Sequence, residues 1–270
     1  MLTISKNIIK RVQSLAQRKV RRKEGLFVAE GNKLVGDNLA SMRCVELFAT
    51  QSWWDANGHR LQGQTAGLSA GNGSQKEPLK YLVTETEMQR LSLMQAPQEV
   101  LGVFAIPQYE LDAETLTNEL TVVLDEVQDP GNVGTIIRLC DWFGIRNIVC
   151  SPTTADCFAP KVVQATMGAI ARVKVHYTPL EAFLDDMRKR GLPIYGTYLE
   201  GENIYQTQLT QQGLIIMGNE GKGINPALKP YVDHKLNIPS YPVGMPTSES
   251  LNVGIATAIT VAEFRRRTQA

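Results

Sequence analysis

Short apolar runs that stop abruptly at glycine-bearing polar segments constrain the second half of this chain more than any other feature. Thr121-Val-Val-Leu124 leads into Asp129-Pro-Gly-Asn-Val-Gly-Thr-Ile-Ile-Arg138, and Leu214-Ile-Ile-Met217 into Gly218-Asn-Glu-Gly-Lys-Gly-Ile224. A third segment runs from Ile238-Pro239 to Ser250-Leu-Asn-Val253. Apolar runs this short read as strands buried on both faces. Further strands are expected at Asn147–Cys150, Ile194–Tyr198 and Lys235–Ile238. Helices are expected at Val133–Phe143, Lys161–Ala171, Leu180–Arg190 and from Ser250 onward. The alternation predicts an α/β domain with a mainly parallel sheet covered on both faces. Ligands of such sheets bind beyond the carboxyl ends of the strands, where all three glycine segments fall. No internal repeat is visible.

The first part of the chain reads as a smaller α/β domain. Ser5 caps a helix to about Gln17, with Ile8, Ile9, Val12 and Leu15 on one face. Strand Leu26–Ala29, helix Lys33–Leu39 and strand Val45–Phe48 follow. A glycine-, serine- and glutamine-rich run from Leu61 to Pro78 reads as a flexible loop. Strands Tyr81–Val83 and Val100–Phe104 flank a helix at Glu85–Met94. The expected organisation is a domain over 1–106, a linker over 107–120 and a second domain over 121–270.

A net charge of +1 hides an asymmetry, since eight cations from Lys6 to Lys23 precede the first acid, Glu24. Such a cluster creates a local positive field, although a solvated helix face has the same composition. The four cysteines form no Cys-x-x-Cys pair, and the three histidines lie far from them in sequence. That pattern argues against a metal site and for small buried side chains in a reducing compartment. With no apolar stretch long enough to cross a membrane and no signal-peptide core, a cytoplasmic location is expected.

The glycine segments also restrict chemistry. Gly218 to Gly223 has P-loop spacing, but Gly223 is followed by Ile224 rather than Lys-Ser/Thr. Glu220 in that loop would repel a pyrophosphate and suits a neutral or cationic ligand; it also fits a plain surface turn. No dinucleotide fingerprint with an acid about 20 positions on follows the first strand of the second domain, which argues against a dehydrogenase. Asn132 is expected at a helix cap, with Arg138 two turns in. A guanidinium there needs an anion, either a ligand or a structural partner. Ser250 and Asn252 are candidate helix caps. Arg265-Arg-Arg267 suits the final helix's dipole.

Taken in order, Asn132-x-Gly134-x-x-x-Arg138, Gly218-x-Glu220-x-x-Gly223, and Ile238-Pro239 with Ser250-Leu251-Asn252-Val253 resemble the motifs of the SpoU/TrmH family of RNA 2′-O-ribose methyltransferases, within the SPOUT superfamily. The match spans about 121–267. The run Asn7 to Gly31 resembles the ribosomal-protein-like RNA substrate-binding domain often attached to that family. The resemblance implies a trefoil-knotted sheet, S-adenosylmethionine as cofactor, and a homodimer formed through the C-terminal domain. It assigns Arg138, Glu220 and Asn252 to catalysis. It assigns Met217, Gly218, Asn219, Gly223, Ile238, Pro239, Ser250 and Leu251 to the cofactor. RNA contacts are expected from Lys10, Arg11, Arg18, Lys19, Arg21 and Asn132, with ribosomal RNA as the partner and no metal. The stretch 240–249 is longer than the family's usual run, and Gly254 stands where Ser or Ala is common. A non-catalytic RNA-binding member, a tRNA 2′-O-methyltransferase and a base-methylating relative remain open at this point.

Overall fold

Ser5 does start the first helix: its Oγ accepts the Ile8 N–H at 3.3 Å, and α1 (Lys6–Ser14) buries Ile9 and Val12. A second helix, α2 (Arg18–Glu24), follows at once and ends at Gly25, whose φ of 64° closes it in the left-handed region. These details come from a computed structural model, which describes residues 2–58, 77–242 and 245–268. Positions 61–76 of the run read as a flexible loop lie outside the described residues.

Four strands build the first sheet: β1 (Leu26–Glu30), β2 (Cys44–Ala49), β3 (Leu79–Leu82) and β4 (Val100–Ala105), in the order β1-β4-β2-β3. Pairing is antiparallel for β1–β4 and β2–β4 and parallel for β2–β3. Helices α3 (Asn32–Ser41), α4 (Gln51–Asn57) and α5 (Glu85–Leu91) connect them. One core gathers Ile9, Val12 and Leu15 against Val28, Phe48, Tyr81, Leu91 and Leu101. Gly102 in β4 is where the ring of Phe104 lies, and a Cβ there would collide with it.

The second sheet has six strands, all parallel: β5 (Leu120–Leu124), β6 (Asn147–Cys150), β7 (Lys174–Tyr177), β8 (Ile194–Asn203), β9 (Gly213–Met217) and β10 (His234–Asn237), ordered β10-β8-β9-β5-β6-β7. The expected mainly parallel α/β sheet is thus present, with β7 added to the strands read from sequence. Val123, Val149, Leu214 and Ile216 share a core with α9 (Leu180–Lys189). Since side chains alternate along a strand, Val122 and Ile215 face the other way. Helix α7 (Pro130–Trp142) lies against β6 and the last helix, α10 (Val253–Thr268). A short helix α6 (Ala113–Thr117) occupies the stretch expected as linker.

The arginines at the end of α10 do more than offset a dipole. Arg265 donates to the carbonyls of Phe143 (2.9 Å) and Gly144 (3.3 Å), closing the C-terminus of α7. Arg267 donates to Thr207 and Tyr205 carbonyls at 2.6 Å each, and buried Glu263 orients it at 2.8 Å.

The chain divides into two compact units, Met1–Gln108 with Asp156–Arg172, and Tyr109–Ala155 with Val173–Ala270. This differs from the contiguous division expected: the segment 156–172, embedded in sequence among the strands of the second sheet, packs with the first. There Phe158 meets Phe27 at 4.8 Å between ring centres, and helix α8 (Pro160–Ala165) lies against β1. The expected helix to Ala171 is cut short, because Met167 (φ 51°) and Gly168 (φ 95°) turn left-handed before a single 3-10 turn at Ala169–Ala171.

Arg21 anchors this arrangement. Only 2% exposed, it donates to Asp156 at 2.6 Å and to the carbonyls of Leu15 (2.8 Å) and Ala16 (2.7 Å). This corrects its expected role: a buried guanidinium engaged on all sides is unavailable to RNA. Removing one partner of a buried ion pair leaves the other uncompensated, at about 3–5 kcal/mol. Asp156→Ala is therefore expected to destabilise the first unit on that scale in urea unfolding, and Arg21→Met combined with it to recover part of the loss.

Candidate functional site

Parallel pairing aligns Leu124 with Met217, so the chain leaves β5 and β9 side by side at the carboxyl end of the sheet. The two loops that follow are tied together residue by residue. Asn219 reaches from the β9 loop to the Glu126 carbonyl at 2.8 Å. Asp125, 3% exposed, accepts the Asn225 N–H at 2.6 Å. Glu126 has a φ of 55°, rare for a residue with a side chain, and its N–H donates to Ser151 Oγ at 2.9 Å. The β9 loop closes on itself: Asn219 and Gly223 exchange backbone hydrogen bonds at 3.0 and 2.9 Å. Gly218 sits so close to Gly223 and Ile224 that any Cβ would collide with their backbone.

Glu220 points into the β5 loop. Its carboxylate accepts from Asn132 Nδ2 (3.0 Å) and from the backbone N–H groups of Asp129 (3.3 Å) and Gln128 (3.4 Å). Burial pushes its pKa up, but these hydrogen bonds, led by Asn132 and including its own backbone, outweigh that and leave it below the ordinary glutamate value. Asn132 Oδ1 in turn accepts from Asn252 Nδ2 at 2.9 Å, and Asn252 Oδ1 caps α10 through the N–H groups of Gly254 (2.9 Å) and Ile255 (3.3 Å). One amide therefore joins all three glycine segments. The helix cap itself is Asp129, not Asn132: Asp129 Oδ1 takes the Asn132 N–H at 2.8 Å. An aspartate before Pro130 at the first helical position is a start signal legible in the sequence.

Among the residues assigned to the cofactor, Met217 ends β9 and is buried, Gly218, Asn219 and Gly223 form the loop just described, and Ile238 and Pro239 follow β10 half-buried. Ser250 and Leu251 precede the Asn252 cap and are exposed. Arg138 stands apart. It lies on the outer face of α7 with Thr135 and Trp142, exposed, and among the described residues it has no hydrogen bond or ion pair, to Glu220 or to any other group. The structural salt bridge left open by the sequence is absent there. In the first unit Lys10 and Lys19 are exposed, Arg18 is half-buried, and Arg11 is paired with Glu46. No cluster of His, Cys, Asp or Glu among the described residues is arranged to hold a metal, and no described helix is long and apolar enough to cross a membrane.

Comparison with known proteins settles the lineage. Residues 119–262 match the SpoU rRNA Methylase family and residues 6–102 an MRM3-like substrate binding domain. The chain belongs to the SpoU rRNA methylase family. It is 29% identical over 259 residues to the 23S rRNA (guanosine(2553)-2′-O)-methyltransferase RlmP of Bacillus subtilis, covering 95% of each chain. A structure described as a putative RNA methyltransferase of the TrmH family from Porphyromonas gingivalis shares 37% identity and a TM-score of 0.82, covering 98% of this chain and 99% of that one. An AdoMet-bound rRNA methyltransferase from Sinorhizobium meliloti gives a TM-score of 0.84 at 28% identity, with 98% of each chain covered. The SpoU/TrmH resemblance carried by the three motifs is borne out.

The Glu220 geometry can be tested directly. The lowered pKa of Glu220 means that its stabilising contribution is present above the ordinary glutamate value and is lost as pH falls through the lower folded-state value. Glu220→Gln is therefore expected to destabilise at neutral pH, with the difference from the parent shrinking toward zero in acid; thermal unfolding at stepped pH measures it.

Proposed function

We propose that this protein transfers a methyl group from S-adenosylmethionine to a ribose 2′-oxygen of ribosomal RNA. The observation that carries the reading is the hydrogen-bonded set Asn132, Glu220 and Asn252, which draws the three family motifs together beyond the carboxyl ends of β5 and β9. The residues fit the cofactor. The β9 loop offers backbone groups around Gly218, with Met217, Ile238 and Leu251 as apolar neighbours for an adenosine. Its acidic character, from Glu220, suits a sulfonium cation and disfavours a polyphosphate. When bound, S-adenosylmethionine supplies an electrophilic methyl group.

The chain's own part is positioning and electrostatics. Aligning two reactants removes about 7–11 kcal/mol of barrier. A guanidinium is a poor base, so Arg138 acts as a clamp on the ribose oxygen or an adjacent phosphate, lowering the hydroxyl pKa; the proton leaves to phosphate or water. With no hydrogen-bond or ion-pair partner among the described residues, its fork of donors is open for this. Glu220 stays ionised and orients Asn132, which holds Asn252 in place. Lys10, Lys19, Arg22 and Lys23, exposed and without ion pairs among the described residues, suit contacts to RNA phosphates.

The protein acts as a homodimer in this reading. Trp142 is 84% exposed, Ile255 53% and Leu251 47%, and α10 carries Ile255, Ala258, Ile259 and Ala262 along one incompletely covered stripe. Apolar patches of this kind mark interfaces. Arg138 shares the exposed face of α7 with Trp142, so dimerisation determines its surroundings. The sheet is expected to be knotted, with the chain after β10 passing through the loops that Asn252 meets.

Labelled S-adenosylmethionine and 23S rRNA lacking the modification give the decisive assay. Label is expected at a ribose 2′-oxygen, with Arg138→Ala lowering turnover by roughly two orders of magnitude or more while cofactor affinity stays within about twofold. Near-normal turnover of Arg138→Lys would rule out a bidentate clamp. Light scattering is expected to show twice the protomer mass, and Trp142→Glu with Ile255→Asp to give monomers.

A further inference from the structure

Both ends of the β9 loop are held by two adjacent residues, and only one of them is a puzzle. Glu126 holds the upstream end through its carbonyl, an uncharged group. Asp125 holds the downstream end through a carboxylate that is 3% exposed and, among the described residues, is paired with no cation. The nearby Tyr198 hydroxyl, itself buried, has no hydrogen-bond partner among the described residues and so does not neutralise it. Burying an ionised carboxylate against a single backbone N–H costs free energy that a neutral residue there would not. Burial accordingly pushes the Asp125 pKa up. A group that is expensive for the fold and absent from the reaction chemistry calls for another reason to be there.

Location suggests that reason. Asp125 is the first residue beyond the central strand β5, and its backbone N–H donates to the Met217 carbonyl at 2.9 Å. Its carboxylate reaches past the end of β9 to residue 225, where the loop hands over to the 3-10 turn Pro226–Tyr231. The loop in between, 218–224, contains the backbone that would surround the adenosine. A charge-assisted hydrogen bond to an amide is shorter and about twice as strong as a neutral one, so the carboxylate fixes the loop's exit more firmly than an amide side chain would.

We infer that Asp125 is a positioning residue for the cofactor, pre-setting the 218–225 loop through the Asn225 N–H. This rests on the cofactor reading above, and binding of the cofactor to the unaltered protein tests that reading separately. Pre-organisation of a loop lowers the ordering cost of binding. It acts on the adenosine, which is common to S-adenosylmethionine and its neutral product S-adenosylhomocysteine, so both lose affinity alike. Attraction of the carboxylate for the sulfonium would affect only the charged ligand.

The hydrogen bond can be cut from either side. Asp125→Ala removes the acceptor. Asn225→Pro removes the donor, and the φ of −52° at this position already suits proline. Asn225→Ala serves as the control, since it loses the side-chain cap on Ala227 but keeps the N–H. Calorimetric titration of the full-length dimer with both ligands is expected to show Asp125→Ala and Asn225→Pro each raising both dissociation constants by about tenfold, a scale set by a single charge-assisted hydrogen bond. The double variant should be no worse than either, Asn225→Ala near the parent, and Asp125→Asn intermediate with a Tm equal to or above the parent's. If the parent binds neither ligand, the cofactor reading falls and this inference with it. If the parent binds both, the inference is overturned by Asp125→Ala binding within about twofold of the parent, by weakening confined to S-adenosylmethionine, or by a Tm that falls in Asp125→Asn in step with affinity.

Discussion

Everything at the candidate site depends on one pairing, that of β5 with β9. Parallel strands leave a sheet at the same edge, and their in-register ends, Leu124 and Met217, bring two loops from opposite parts of the second unit within hydrogen-bond reach. Residues 125, 126, 128 and 129 then meet 219, 220 and 225 through backbone and side chain together. A strand with a different neighbour would leave Glu220 in solvent and Asp125 without its amide. The site is therefore a property of strand order before it is a property of any side chain.

A second constraint is that polar groups here serve one another before they serve a ligand. Asn132 spends both ends of its amide on Glu220 and Asn252, and Asn252 spends its oxygen on the start of α10. Glu220 is surrounded by N–H donors and held charged. Against this closed set, Arg138 differs in kind: a solvent-facing cation with no hydrogen bond or ion pair among the described residues. The contrast separates residues that build the frame from one that takes no part in it.

Much of this was legible from the sequence, for physical reasons. Parallel strands buried on both faces leave runs such as Thr121–Leu124 and Leu214–Met217, and glycine is needed where Gly218 nearly touches Gly223. What escaped was whatever depends on partners distant in sequence. Composition showed Arg21 as one of a row of cations, whereas its burial depends on Asp156, 135 positions away. Asp125 reads as the end of a strand, and nothing in its neighbours announces Asn225. Lys174–Tyr177 was missed as a strand because it is an edge strand with a mixed burial pattern, not a uniformly apolar run. The division of the chain escaped because spacing carries no information about which core a helix such as Pro160–Ala165 will join.

That last helix has a consequence for how the protein can be taken apart. The chain passes from one compact unit to the other at 108/109, again at 155/156, and back at 172/173. A fragment beginning after the first crossing would still carry Phe158, Val162 and Val163, now stripped of the β1 surface that covers them, together with Asp156 lacking its arginine. The complementary fragment would expose Phe27 and an unneutralised Arg21. Two regions that look like separable modules in a linear map are thus interleaved in sequence, and a cut at 108/109 divides the first unit's own core.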